Sequence, residues 1–268
     1  MIFMKYSSLY KGAILTTIFS VAFVISCTRE LDKTDPSRPT LESYFKNSAE
    51  LLKGTNAIYS MVRSAGLTAR EWYFLHDLRS DDVKSGGGQL ETPRAQILNG
   101  ATVPGNAVMN SVWNGMYMVI HRANTVIKSA VDVTDDDALR DRCVGEAKFF
   151  RAWAYFELVS MWGPVPIYTV PVETPSEFQS RAAEADVYAL IKQDLTEAAA
   201  ALPANYTGGN LGRASKGAAN AMLGRALMQS GDYAGARTAL KAIETSGEYQ
   251  LMNNYLDNFL EETEFNKE

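Results

Sequence analysis

The sequence predicts an all-α fold, on three observations. Apolar residues recur at helical spacing in four stretches, 107–131, 138–161, 185–202 and 214–246. Helix-stopping residues stand at the ends of those stretches: Gly163-Pro164, Pro203 and Gly231-Asp232. The chain has 268 residues, 46% hydrophobic and 21% charged, enough to bury a core without disulfides. Lys and Arg number 26 against 31 Asp and Glu, a net charge of −5, so no overall electrostatic footprint for nucleic acid exists. With two His and two Cys, a zinc site built from several such ligands is not expected.

Residues 1–26 read as a lipoprotein signal peptide. Lys5 and Lys11 give the positive start, and Gly12 to Ile25 is an uncharged apolar run. At about 14 residues it has the length of a signal core and is too short to span a bilayer. Ser26 then precedes Cys27, in the order V-I-S-C of a bacterial lipobox. Cys27 is therefore the expected lipid-attachment residue and the first residue of the mature chain, anchored by acyl chains to a membrane. Residues 27–40, with their charges and two Pro, read as a flexible tether, and 41–268 as the helical domain.

In that domain, Leu41, Tyr44, Leu51, Leu52, Ile58 and Val62 mark a first helix reaching Arg63. Residues 66–106 carry Gly86-Gly87-Gly88, Pro93 and Pro104-Gly105 and read as a long irregular insertion, of the kind that is often functional. Asn106 is placed to cap the next helix, with Val112, Met116, Val119, Ala123 and Val126 on its stripe. Asp135-Asp136-Asp137 suits the N-terminus of a helix reaching Met161, where negative charge meets the positive dipole end. That helix is apolar around most of its girth, so it is expected at the centre of the fold, with Cys143 as a small buried hydrophobe. An extended stretch, VPIYTVPVETP, follows it. A helix over 184–202 and a hairpin over 214–246 complete the order. The hairpin resembles a tetratricopeptide unit through Leu223-Gly224, Gly231, Tyr233 and Ala236: Gly224 permits close helix approach, and Tyr233 is expected to wedge between the two helices.

Four segments together resemble the SusD/RagB family of Bacteroidetes outer-membrane lipoproteins. They are Trp113, Tyr117, Ile120, Arg122, Ala123 and Asn124 in the pattern W-x-x-x-Y-x-x-I-x-R-A-N; GEAKFFRAWAYFELVSMWGPVP from Gly145 to Pro166; VYALIKQDLTEAAAALP from Val187 to Pro203; and GRASKGAANAMLGRALMQSGDYAGA from Gly212 to Ala236. The lipobox fits the same family. The resemblance implies a SusD-like core of tetratricopeptide-like hairpins, displayed on the outer membrane. It implies capture of a glycan or peptide nutrient for a TonB-dependent outer-membrane transporter. It also implies that the domain is incomplete at its C-terminus, since the family runs on past FLEETEFNKE.

Motifs for catalysis are missing: the Gly-rich SGGGQLE lacks the Lys-Ser/Thr of a phosphate loop, and neither G-x-S-x-G nor H-E-x-x-H occurs. No enzyme activity and no cofactor are expected. The candidate ligand-binding residues are Trp72, Tyr73, Asp81 and Asp82, all in the 66–106 insertion. An aromatic face stacks on the apolar face of a pyranose while carboxylates hold its hydroxyls. The alternatives stay open: Trp72 as a core residue, and Asp81-Asp82 as a solvated turn or an oxygen site for Ca²⁺. Trp113, Trp153 and Trp162 read as packing residues. Arg122 and Arg151 are expected to meet carboxylates or carbonyls inside the bundle, with Glu146 and Asp194 as candidate partners. His121 reads as a satisfied helix residue and His76 as a loop-edge residue with no partner to make it a ligand. Three functions follow from these readings: nutrient-binding lipoprotein first, helical-repeat adaptor second, secreted glycosidase third.

Overall fold

The structure, a computed structural model, describes residues 44–87 and 90–268. The signal peptide, Cys27 and the tether lie outside the described residues. Among those described there is no β-strand, and no helix is long and apolar enough to cross a membrane. Phe45–Glu268 folds around one main core.

Eight helices are labelled here: α1 Ser48–Val62, α2 Glu71–Asp77, α3 Thr92–Leu98, α4 Ala107–Ser129, α5 Asp137–Trp162, α6 Glu184–Ala201, α7 Lys216–Gln229 and α8 Tyr233–Glu244. Local chemistry starts most of them. Asn47, Asn106, Asp136, Ser215 and Asp232 each accept a backbone N–H of the first turn they precede. At the end of α5, Gly163 adopts φ +70°, which glycine takes without strain. A Cβ there would also lie 3.1 Å from the Glu184 carboxylate.

Helix α5 sits at the centre, against α1, α4 and α6, and α7 reaches it as well. Its buried residues include Cys143, Ala147, Phe150, Tyr155 and Leu158, which lie around more than one face. Burial pushes the Cys143 thiol above its ordinary pKa, as suits an inert packing residue.

The central helix also carries buried charge, and each group has a partner. Arg151 donates from Nε and Nη2 to the two oxygens of Asp194 on α6, both at 2.7 Å, and from Nη1 to Asn124 on α4 at 2.8 Å. Burial raises the Asp194 carboxyl above the usual range, and the guanidinium opposes that shift. Glu146 pairs instead with Arg213 at 2.8 Å, and Arg122 donates to the carbonyl of Ala57.

The insertion is less irregular than its Gly and Pro content suggests. Two seven-residue helices, α2 and α3, lie inside 66–106. Each is shorter than the window in which helical periodicity becomes visible. Pro93, read as a break, occupies the first turn of α3, where its missing N–H costs nothing.

The α7/α8 hairpin also needs one correction. Gly224 does permit close approach: a Cβ there would fall 2.6 Å from the Leu240 side chain. Tyr233, however, is 72% exposed and is not a wedge. It is the first residue of α8 and lies beside Met228, Arg237 and Leu240 around an open groove. Leu227, Ala236 and Ala239 fill the space between the helices instead. The hairpin packs mainly on α6, with Arg225 laid 4.9 Å from the ring centroid of Phe156 on α5.

Candidate functional site

Helix α2 holds two of the four candidate residues, and the turn after it holds the other two. Its inner face is fixed by charge. The buried Glu71 accepts from Arg94 at 2.9 Å and from Arg70 at 2.7 Å. Arg94 also pairs with Glu91 and lies 4.5 Å from the ring centroid of Phe74. These contacts tie α2 to α3.

Trp72 turns toward α5. Its indole N–H donates to Oε2 of Glu157 at 2.9 Å, and its ring packs against the core. His76, one turn on, brings Nε2 to 3.0 Å from the same oxygen, and its ring centroid lies 4.4 Å from that of Trp72. The core reading of Trp72 thus describes its indole edge. His76 lies within α2 and not at a loop edge, and what it meets is a single buried carboxylate. The spacing of Trp72 and His76, i and i+4, was a usable signal, because such residues share a helix face. What was missing was the buried carboxylate 85 residues downstream that joins them.

Tyr73 faces outward and is 56% exposed. A hydrogen bond to Asp77, and after it that group's charge, push its phenol above the ordinary pKa. Asp81 and Asp82 are exposed in the turn 80–82, where the N–H of Asp82 donates to Ser80 Oγ at 3.3 Å. Their carboxylates are held by no partner among the described residues. No group of three or more His, Cys, Asp or Glu among those residues is placed to hold a metal ion. Beside α2, a cavity of about 410 Å³ opens between Leu75, Arg79, Ile97, Thr102 and Met161. The arrangement offers a flat exposed ring, free carboxylates and a cavity with one guanidinium at its edge.

Comparison with known proteins agrees with this architecture. Residues 31–228 match the family model described as SusD-like, starch-binding and associating with the outer membrane. SusD-like protein P25 of Formosa agariphila is 24% identical over 266 residues, 95% of this chain and 50% of that protein. A solved structure of a laminarin-binding SusD-like protein superposes with a TM-score of 0.75 at 32% identity, covering 83% of this chain and 50% of the other. A SusD-like protein from Bacteroides fragilis NCTC 9343 superposes with a TM-score of 0.72 at 25% identity, over 88% and 45%. The chain spans about half the length of the curated relatives it matches. A match over most of the helical domain, joined to the same helical architecture, establishes that the chain belongs to the SusD-like family.

Proposed function

We propose that this chain is a glycan-capture lipoprotein of the outer membrane. It is anchored through Cys27, displayed at the surface, and hands its ligand to a TonB-dependent transporter. The observation that carries the reading is its likeness, at 32% identity and a TM-score of 0.75, to a protein that binds laminarin. In this reading Tyr73 provides the stacking face, Asp81 and Asp82 accept sugar hydroxyls, and Trp72 sets the ledge on which Tyr73 stands. Capture proceeds without hydrolysis. A peptide nutrient is the neighbouring possibility within the same role.

The test is affinity electrophoresis of the full chain through gels containing a panel of glycans, with product analysis of the same mixtures. Retardation by at least one glycan, without new reducing ends, is the expected result. Retardation by none overturns glycan capture. A second reading, a helical-repeat adaptor, draws on the exposed Met228, Tyr233 and Leu240 along the α7/α8 hairpin. It predicts no glycan retardation and a stable protein complex instead.

A further inference from the structure

Along α4, one turn on from the residue that borders the α2 cavity, lies a second cleft of about 410 Å³. Trp113 and Tyr117 form its floor, Tyr168 and Pro166 one wall, and Phe178 its rim. The rings are set at steep angles. Trp113 and Tyr117 have centroids 5.0 Å apart at 50°, and Tyr117 and Tyr168 have centroids 5.9 Å apart at 76°. They therefore turn faces in several directions instead of stacking on one another.

The wall is stiff because α4 and α5 hold the extended chain by its carbonyls. Tyr117 donates to Pro166 O at 2.9 Å, and Asn124 Nδ2 donates to Tyr168 O and Val170 O at 3.0 and 3.1 Å. The Tyr155 hydroxyl accepts from the Tyr168 N–H and donates to the Tyr168 carbonyl. Asn124 is itself fixed by Arg151. Such preorganisation lowers the ordering cost of binding.

Three polar groups in this lining remain unengaged among the described residues. The Tyr168 hydroxyl accepts from the Gln179 N–H at 3.1 Å, and its own proton meets no acceptor. Gln179 donates through Nε2, which leaves its carbonyl oxygen open. The His121 ring makes no hydrogen bond to the described residues. Phe178, 67% exposed, adds a further aromatic ring to the lining. No Asp, Glu, Lys or Arg lines the cleft, in a chain that is 21% charged.

From this set we infer a second binding site, for an uncharged saccharide. Ring C–H faces stack on the aromatic floor and on Phe178. Hydroxyls, which both donate and accept, satisfy the Tyr168 proton, the Gln179 oxygen and the His121 ring. A uronic or sulfated sugar would bring a charge into a cleft that no Lys or Arg lines, which costs free energy. The inference rests on the glycan-capture reading for its ligand class, and on the cleft alone for its location.

The test uses nuclear magnetic resonance of the full chain titrated with a neutral gluco-oligosaccharide and, separately, an oligogalacturonate. The Trp113 indole signal is assigned with Trp113→Phe. The neutral sugar should move the Trp113 signal, and Phe178→Ala should weaken that titration about tenfold while Leu251→Ala, at another exposed apolar residue, leaves it unchanged. Oligogalacturonate should leave Trp113 unmoved. Movement confined to α2 with Trp113 unmoved overturns the second site and leaves glycan capture standing. Movement nowhere overturns both. An equal response to oligogalacturonate, or a response to a proline-rich peptide in place of sugar, overturns the assigned ligand class.

Discussion

Trp72 and Glu157 are joined by a 2.9 Å hydrogen bond that ties the short helix α2 to the central helix α5. His76 shares the acceptor oxygen, while the other oxygen, Oε1, is buried and accepts nothing from the chain. Removing either ring therefore alters a buried carboxylate as well as a surface. Trp72→Ala is expected to cost about 3 kcal/mol, the scale of a large aromatic removed from packing. Glu157→Ala should cost about 1–3 kcal/mol by orphaning the indole N–H. Urea denaturation of both variants checks these values. Tyr73→Ala is the cleaner probe of ligand contact: its stability should change by less than about 0.5 kcal/mol while glycan retardation falls.

The Arg151–Asp194 pair is expected to respond asymmetrically. Asp194→Ala leaves a buried guanidinium with only amide and carbonyl partners, and should destabilise by about 3–5 kcal/mol. Replacing both residues by apolar ones of similar size should cost much less than Asp194→Ala alone. A double-mutant cycle followed by thermal denaturation measures the difference. Equal losses in the two proteins would show that the ion pair is not the element at stake.

Asp135 predicts a pH effect of definite sign. It accepts from the Ser48 N–H at 2.9 Å and from Ser48 Oγ at 2.8 Å, which hold its carboxyl below the usual range. A depressed folded pKa means that the ionised form is favoured by folding. That contribution is complete above the unfolded value of about 3.9 and is lost as pH falls through the lower folded one. The melting-temperature gap between the parent chain and Asp135→Ala should therefore stay constant near neutrality and shrink below about pH 4.

Tyr233→Ala should change stability by less than about 0.5 kcal/mol, since the ring is exposed. Leu227→Ala, between the same two helices, should cost at least about 2 kcal/mol. Calorimetry on the pair separates a peripheral ring from a core contact. A large loss with Tyr233→Ala would restore it to the interior.

Cys27→Ser should abolish incorporation of labelled palmitate and release the protein from the membrane fraction. Unchanged labelling would refute lipid attachment at this residue.

The long helices were legible because their apolar stripes run for four turns or more. The expected 138–161 appears as Asp137–Trp162 and the expected 184–202 as Glu184–Ala201. Their caps were legible too, through Asn106 and the acidic run before α5. The buried pairs were not, because Arg151 meets Asp194 across 43 residues and Trp72 meets Glu157 across 85. Spacing along one chain encodes neighbours on one helix and says nothing of which helices will meet. For the same reason Trp113 reads as simple packing. Its place in an aromatic cleft depends on Tyr168 and Phe178, which come from an extended stretch without periodicity.

Asp135 anchors the first turn of α1 from 87 residues downstream, and the far end of that helix is gripped from still further away. Tyr59 accepts the Ala214 N–H and Asn56 accepts from Arg213, across 155 and 157 residues. Closing such loops carries an entropic cost that grows with their length. Synthesis delivers the N-terminal end first, so α1 emerges long before either of its clamps has been made. Helix α1 therefore gains its two clamps only after residues 135 and 213–214 have been made.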